Sequence, residues 1–492
     1  MRTPLLRKHS GGTDVGMIGG VRTALTTLAL VALAVVTSRL IAAESIFDGA
    51  DGLPLLGWTA VAWALFAVAW WSQRRLPRRR AAALVVVGTL AIGIAAMAGP
   101  PNTSTDSARY AWDGIVSDAG ISPYAQPPAS DTLDGVREPW LFPPATAAAD
   151  GTARCVGSRV VTTRSVPDGD LLCTTLNRPS VPTIYPPVAQ GWFALVRGAV
   201  PPSATWWPMQ LAGLVLVVAI TLMVMRLLSR RGLDPCRAAW WGWCPFVASE
   251  AVTNSHIDAL GVALVVGATL AAGALVVVPG RARPGSRSRR PVLVGVLLGL
   301  AAAVKFVPGT AALPLVRLSP VKVVTAAAAT FVVVYIPFVL VSGGAVLGYL
   351  PGYLREQGYE SGDGFTLANL VVPGPAASAV SVVALVVVAV AQWRLADPDD
   401  PWTAQLVGAG AMLLVLSSPY PWYALVLVPF IALTGRWEWF VVPVVMTAHL
   451  LVPDVAVMRG VVPLAVVVVV AGWLLRRRAR TPHAVAHEEV RA

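Results

Sequence analysis

The run VRTALTTLALVALAVVTSRLIA at residues 21–42 decides the fold class. An apolar run of about 18 or more residues is typical of a membrane-spanning helix. Comparable runs recur along the 492 residues, which are 56% hydrophobic and only 13% charged. Soluble domains carry about 25% charged residues. The sequence therefore predicts an all-α polytopic membrane protein.

The basic residues lie in short clusters between the apolar runs. They give a formal net charge of +12, which as a single patch would suit nucleic acid. Clusters between spans are instead typical of cytoplasmic loops. The pattern predicts the lipid bilayer, and no nucleic acid, as partner; the clusters are RRLPRRR at 74–80, RLLSRRGLDPCR at 226–237, RARPGSRSRR at 281–290 and RRRAR at 476–480.

These clusters set the predicted topology in a plasma membrane. No small-residue cleavage site follows the first apolar run, so we expect a retained helix with the N-terminus in the cytoplasm. A segment of about a hundred residues then lies outside, too long for a passive connector. The predicted regions are a cytoplasmic tail at 1–20, three spanning helices within 21–98, an extracytoplasmic catalytic loop at 99–205, the remaining bundle at 206–475 with an outer loop at 343–374, and a cytoplasmic tail at 476–492.

Residues 291–316, PVLVGVLLGLAAAVKFVPGTAALPLV, allow two interpretations. A single spanning helix would place the RRRAR tail outside. Two short helices broken near Lys305 and Pro308 keep that tail inside. We favour the break, because Pro disrupts a helix and irregular backbone at membrane depth needs a protein- or water-lined site. The prediction is then about thirteen or fourteen helices.

Five polar or aromatic segments fall on the outer side of this topology, which predicts one active site there. The outer loop also holds Cys155 and Cys173, and an oxidising compartment permits a disulfide between them. The alternative is two free thiols; Cys236 and Cys244 are expected to be packing residues. The five segments are 105–128, 176–196, 248–261, 301–308 and 417–425.

Each segment also has a simpler interpretation. Tyr and Trp near Asp106 would serve as an interfacial belt, with Asp as a helix cap. Segment 248–261 would be a polar turn between two helices. Lys305 would snorkel to the interface. The belt does not explain Asp106 beside Arg109 at the membrane boundary. Asp106, Arg109, Tyr110 and Asp113 share one face of a predicted helix at the membrane surface.

The chemistry that fits is transfer from an activated donor held in the membrane. The sequence has no Walker motif, dinucleotide-binding loop, HExxH or GxSxG, and a lipid-linked phosphosugar supplies activation where ATP is absent. Asp106 is the predicted general base. Lys305, Arg109 and His256 are predicted to hold the donor phosphate. No cofactor is assigned with certainty, and a divalent cation is left open; predicted residues of the sugar and lipid groove are Tyr110, Trp112, Tyr124, Tyr185, Gln190, Asn254, Asp258, Trp422 and Tyr423.

The stretch DSARYAWDGIVSDAGISPYAQPP at 106–128 resembles the D-x-x-R-Y-x-W-D-G…G-x-x-P-Y signature of bacterial superfamily C glycosyltransferases. It is most similar to polyprenyl-phosphate-mannose-dependent mannosyltransferases of actinobacterial envelopes. Four later blocks resemble subsequent segments of that family in the same order, and together the resemblance spans about residues 100–430. The blocks are RPSVPTIYPPVAQGWFAL, NSHIDAL, KFVPGTAALP and SPYPWYALVLVPF.

The resemblance implies the superfamily C fold and an inverting transfer from a polyprenyl-phosphate sugar to a glycan or glycolipid acceptor. It assigns the catalytic base to Asp106, and a second acidic position, for acceptor or metal, to Asp113. Ile115 and Ser122 depart from the family pattern. Two alternatives remain at this point. A lipid-linked saccharide transporter or flippase would use a similar basic and aromatic groove without needing the outer carboxylate, and a non-catalytic envelope assembly partner would need no active site.

Overall fold

The computed structural model describes residues 11–43, 45–47, 52–157, 161–164, 171–273, 290–397 and 400–480. The described chain is mostly α-helix. Its longer helices are α1 Gly11–Ala43, α2 Leu53–Gln73, α3 Arg78–Ala95, α4 Asp106–Asp118, α5 Pro187–Arg197, α6 Trp207–Arg230, α9 Asp258–Gly273, α10 Arg290–Ala302, α12 Pro320–Ser342, α15 Pro375–Leu395, α16 Pro401–Leu416, α18 Val441–Leu451 and α19 Val455–Arg480.

Shorter segments connect these helices. The short α-helices are α7 Ala239–Gly242, α8 Pro245–Val247, α11 Leu313–Val316, α13 Leu350–Glu356, α14 Thr366–Asn369 and α17 Leu427–Thr434. The tighter 3₁₀ turns are Asp131–Val136, Pro235–Ala238, Val307–Ala311, Gly343–Leu347, Pro421–Val426 and Trp437–Phe440. One π-helical turn, Ala248–Thr253, precedes α9.

The number of spanning helices differs from the prediction. Within the described ranges, six helices are long and apolar enough to cross a membrane, or seven if Pro245–Thr253 and Asp258–Gly273, bent by 115°, count as one span. The all-α polytopic fold is confirmed, and the number of described helices that meet this length and composition criterion is smaller than the predicted thirteen or fourteen. The other apolar runs give helices of only 10–17 residues, such as Arg290–Ala302 and Pro401–Leu416. The cluster RARPGSRSRR, apart from Arg290, lies outside the described residues, as do residues 1–10 and 481–492 of the two predicted tails.

Buried tryptophans pack in the interior of the bundle, and two of them donate hydrogen bonds to backbone carbonyls. Trp241 donates its indole N–H to the carbonyl of Val217 in α6 at 3.0 Å, and Trp243 donates to that of Val85 in α3 at 3.1 Å. A buried indole N–H normally requires such an acceptor. The region of α7 is thus fixed against α6 and α3. Cys236 and Cys244 are buried free thiols in the same region.

Helix α10 approaches α12 closely through two glycines. A Cβ added to Gly295 would lie 2.5 Å from the carbonyl oxygen of Val323, and one on Gly299 would collide with the backbone of Ala327. Small residues four apart let helix backbones meet in this way. This contact sets the position of the segment that follows α10.

That segment contains the predicted break. Helix α10 ends at Ala302, and the chain resumes as the turn Val307–Ala311 and the short helix α11. Pro308 cannot continue a regular helix. The break predicted within 291–316 is confirmed, and the single-helix alternative is wrong. The second half is only the turn Val307–Ala311 and the four-residue α11, which is too short to be a second spanning helix.

The segment 99–205 is compact and carries the only strands of the described residues. Strands β1 Thr146–Ala147 and β2 Ala153–Arg154 form one antiparallel pair, and β3 Val161–Arg164 and β4 Leu171–Thr174 form another. A disulfide joins Cys155 to Cys173. The flanking helices α4 and α5 pack against each other, and Gly114 permits the contact, because a Cβ there would lie 2.5 Å from the carbonyl oxygen of Phe193.

Candidate active site

A cavity of about 960 Å³ lies between α4, α12 and the segments around 180, 350 and 420. Its walls are mainly apolar and aromatic, and its few polar groups gather at one end. The polar residues at that end are Asp106, Arg109, Asn177, Arg178 and Lys305. A largely apolar pocket with a small set of convergent polar groups is the usual form of a ligand site.

Asp106 begins helix α4, and its carboxylate faces this cavity with 14% of the side chain exposed. The amide of Asn177 donates to Oδ1 at 2.6 Å. The hydroxyl of Tyr110, one turn along the helix, lies 3.5 Å from Oδ2. Burial raises the pKa of Tyr110 well above its ordinary value, so this hydroxyl remains protonated and able to donate. Asp106 is thus oriented by two donors and still accessible.

The other acidic residue of α4 is committed to an internal network. The Oδ1 atom of Asp113 accepts from Nε of Arg109 at 3.0 Å. Its Oδ2 accepts from Thr183 Oγ1 at 2.5 Å and from Gln190 Nε2 at 2.9 Å. Asp113 is 1% exposed, so the acceptor or metal position predicted for it is not accessible from the cavity.

Arg109 belongs to the same network. Besides Asp113, its guanidinium donates to the carbonyls of Arg178 at 3.3 Å and Val181 at 3.1 Å. It touches the cavity wall but is 4% exposed. These hydrogen bonds hold the segment around residue 180 against α4 and engage the guanidinium that was predicted to bind phosphate.

Lys305 lies in the break after α10 and lines the polar end of the cavity. Its Nζ atom is 2.8 Å from Oδ2 of Asp258 and 4.5 Å from the ring centroid of Tyr423. The side chain is 17% exposed, against 2% for Asp258. Because an ammonium carries three N–H donors, Lys305 can pair with Asp258 and still direct a donor into the cavity.

His256 lies behind the cavity wall. Its ring stacks on Trp422 with centroids 3.9 Å apart. Its Nδ1 atom is 3.7 Å from Asp106 Oδ2, and its Nε2 atom is 3.3 Å from Glu250 Oε2. With its side chain fully buried, His256 contacts the catalytic candidate rather than the space for a donor phosphate.

The predicted groove residues divide into two groups. Tyr185, Trp422 and Tyr423 line the cavity. Four others are structural: Trp112 packs on Phe142, Tyr124 donates to the carbonyl of Tyr185 at 2.6 Å, Asn254 donates to Thr103 Oγ1 at 2.7 Å, and Gln190 binds Asp113. Tyr110 and Asp258 are buried behind the wall, beside Asp106 and Lys305.

Two cavity residues, Arg178 and Asn177, were given no role by the sequence-based selection. Arg178 forms an ion pair with Glu356 at 2.5 Å and lies 5.7 Å from the ring centroid of Tyr353. Its hydrogen bonds to Glu356 raise the pKa of the Arg178 guanidinium, which stays charged. Asn177 directly precedes it. Apart from their place in a segment already singled out, nothing in the sequence marks these residues, since their partners are distant along the chain.

The five segments singled out by sequence do converge. Segments 105–128, 176–196, 301–308 and 417–425 each contribute cavity residues, and segment 248–261 packs directly behind them through His256 and Asp258. Within the described ranges, no three His, Cys, Asp or Glu side chains form a metal-binding group. The donor set does not fit a divalent cation, and we derive no step through one.

Residues 183–419 match the model of glycosyltransferase family 87. The matched region contains Glu250, His256 and Lys305, and it begins after Asp106 and Asn177. The searches of curated proteins and of solved structures returned no match. Together with the six or seven candidate spans, the family match supports a membrane glycosyltransferase. It does not extend to the sugar, the lipid carrier or the acceptor.

Proposed function

We propose that the chain transfers a sugar, mannose in the first instance, from a polyprenyl-phosphate donor to an envelope glycan or glycolipid. The transfer inverts the anomeric centre and takes place at the outer face of the plasma membrane, with Asp106 as general base. The observation that carries the proposal is a carboxylate at the polar end of a large, mainly apolar cavity.

The cavity suits a donor that carries a long lipid. Several apolar residues of its wall are exposed: Val332, Ile336, Val339 and Leu340 of α12, with Leu347 and Leu354 beyond it. In the helical run Pro320–Glu356, which contains these residues, only 6% of the most apolar stretch is buried. A wall shared between a cavity and the bilayer-facing surface provides a lateral entrance for an isoprenoid chain.

The polar end suits the chemistry of transfer. The acceptor oxygen forms a bond to the anomeric carbon as the bond from that carbon to the phosphate oxygen breaks, and the electron pair leaves with the phosphate. Asp106 takes the proton of the acceptor hydroxyl. Lys305 neutralises the charge that develops on the departing phosphate, since its Nζ atom lies at the cavity wall.

A donor screen tests this function. Purified protein in lipid nanodiscs would be given polyprenyl phosphates bearing mannose, glucose, galactose or arabinose, with an envelope glycolipid extract as acceptor. We expect transfer from the mannosyl donor and an α-linked product from the β-linked donor, read by NMR of the product. If the protein transfers sugar from none of these donors, the proposal is contradicted. Movement of intact donor between leaflets without transfer would favour a flippase.

The side of the membrane is tested separately by cysteine labelling. Thr152, in the exposed hairpin region, and Arg75, between α2 and α3, are both exposed. In intact cells an impermeant maleimide should label Thr152→Cys and should not label Arg75→Cys until the membrane is permeabilised. Labelling of both from outside would contradict the proposed orientation.

A further inference from the structure

Three groups lie in a line at the back of the active-site wall. The imidazole of His256 stands between Asp106 Oδ2, at 3.7 Å from Nδ1, and Glu250 Oε2, at 3.3 Å from Nε2. Glu250 lies in the π-helical turn Ala248–Thr253, and His256 follows it in the break before α9. Stacking on Trp422 fixes the plane of the ring. Each ring nitrogen thus has a carboxyl oxygen as its neighbour, although neither contact meets hydrogen-bond geometry in the described structure.

These three groups need one more proton if each close contact is to have a donor. Two ionised carboxylates and a neutral imidazole together supply a single N–H. A neutral imidazole carries a single N–H, so its other nitrogen is an acceptor. If both acids were ionised, one carboxylate would face a lone pair inside the protein. Glu250 is 1% exposed, its Oε1 accepts from Ser249 at 3.0 Å, and its Oε2 has no hydrogen-bond donor in the described part of the chain. A buried carboxylate with a single hydroxyl donor and no donor to its second oxygen is costly.

We propose that Glu250 is a neutral carboxylic acid that donates from Oε2 to Nε2 of His256. This fixes the histidine tautomer that presents its Nδ1–H to the Asp106 carboxylate. His256 and Glu250 are then positioning residues for the catalytic base. The inference rests on the proposed function for the role of Asp106, while the protonation of Glu250 stands independently of it.

The other ionisable groups near the line leave this arrangement in place. Tyr110 faces Asp106 as a donor, and Lys305 is paired with Asp258 rather than with Glu250. An Nδ1–H group would face the carboxylate at 3.7 Å as a third donor group, beside the hydrogen bonds from Asn177 and Tyr110. Donors to the ionised form keep a carboxylate ionised and oriented.

Conservative and non-conservative variants separate positioning from packing. Asn places an amide N–H near the position of Nδ1, and Gln at 250 keeps a donor near Oε2. We expect His256→Asn and Glu250→Gln to keep kcat within about threefold, and His256→Leu and Glu250→Met to lower it about 10- to 100-fold with donor KM little changed. His449→Gln, a change at a half-buried histidine of α18, is the matched control.

The pH profile supplies a readout that packing alone would not move. Without the Nδ1 donor the carboxylate holds its proton more tightly, so the acidic limb of kcat/KM should move to higher pH in His256→Leu and Glu250→Met. Equal losses at every pH, or a loss in Glu250→Gln as large as in Glu250→Met, would overturn the proposal.

Infrared difference spectroscopy tests the protonation state without any assay of activity. Wild-type protein at pH 7 should show the carbonyl stretch of a buried carboxylic acid that disappears in Glu250→Gln. Absence of that band overturns the inference whether or not the protein transfers sugar. If the band is present but no donor is used, the proposed function fails while the neutral Glu250 stands. The measurement also covers the case in which the non-conservative variants do not fold.

Discussion

Replacing Lys305 by Gln should have two measurable effects, because the residue both faces the cavity and pairs with Asp258. It should weaken donor binding, and it should lower the stability of the fold. Lys305 Nζ lies 2.8 Å from Asp258 Oδ2 at the cavity wall. A charged hydrogen bond to the donor phosphate contributes about 1.5–3 kcal/mol, so its loss should raise donor KM about 10- to 100-fold. Asp258 is 2% exposed, and leaving such a carboxylate unpaired costs about 3–5 kcal/mol. We expect the loss of stability to lie near the lower end of this range, about 3 kcal/mol, because Lys305 is 17% exposed and water can reach the pair.

The double variant Lys305→Gln with Asp258→Asn distinguishes the two effects. It removes the unpaired buried charge but does not restore the phosphate contact. The melting temperature in detergent should therefore fall in the single variant and recover in the double variant, whereas donor KM should stay high in both. Recovery of donor KM in the double variant would show that Lys305 acts through the fold alone, and unchanged KM in the single variant would refute the phosphate contact.

Three further changes probe the surroundings of the site. Asn177→Ala removes the 2.6 Å hydrogen bond to Asp106 and should lower kcat about 10-fold in a transfer assay; an unchanged kcat would mean that Asp106 is oriented without it. Gly114→Val forces a side chain against the backbone of Phe193 in α5 and should cost about 1–3 kcal/mol, seen as a lower melting temperature, whereas Gly135→Val, in open space, should not. Cys155→Ser with Cys173→Ser removes the disulfide between two residues 18 apart in sequence, and should lower the free energy of unfolding by at most about 3 kcal/mol, measured by limited proteolysis. Because neither residue lines the cavity, kcat should stay within about twofold of the wild type. A large loss of kcat would assign the insert a part in the reaction.

Local sequence patterns identified the helix at 106–118 and the break after α10. Spacing of three and four residues placed Asp106 and Tyr110 together, and Pro308 marked the break that brings Lys305 to the cavity. Residues 107–116 are all buried in the structure, although a surface helix was expected. The cover comes from α5 and the segment around residue 180, which lie about seventy residues further along the chain.

The roles within the site depended on such distant partners. From the sequence, Arg109, His256 and Lys305 were all predicted to bind the donor phosphate. Arg109 touches the cavity wall, but its guanidinium is engaged by Asp113 and two carbonyls. His256 lies between two carboxyl groups, and Lys305 lines the wall with 17% of its side chain exposed. Trp112 shares α4 with Asp106 but packs on Phe142, away from the cavity. A single sequence gives no register between α4 and the segments that pack on it.

The most direct measurement compares Asp106→Asn with Asp118→Asn at saturating donor and acceptor. Both changes remove one carboxylate from α4, but Asp118 is exposed at the end of the helix and away from the cavity. Loss of a general base should lower kcat about 10²- to 10⁴-fold in Asp106→Asn, while Asp118→Asn should match the wild type within about twofold and both should melt at the wild-type temperature. Wild-type transfer by a folded Asp106→Asn protein would contradict the assignment of the catalytic base.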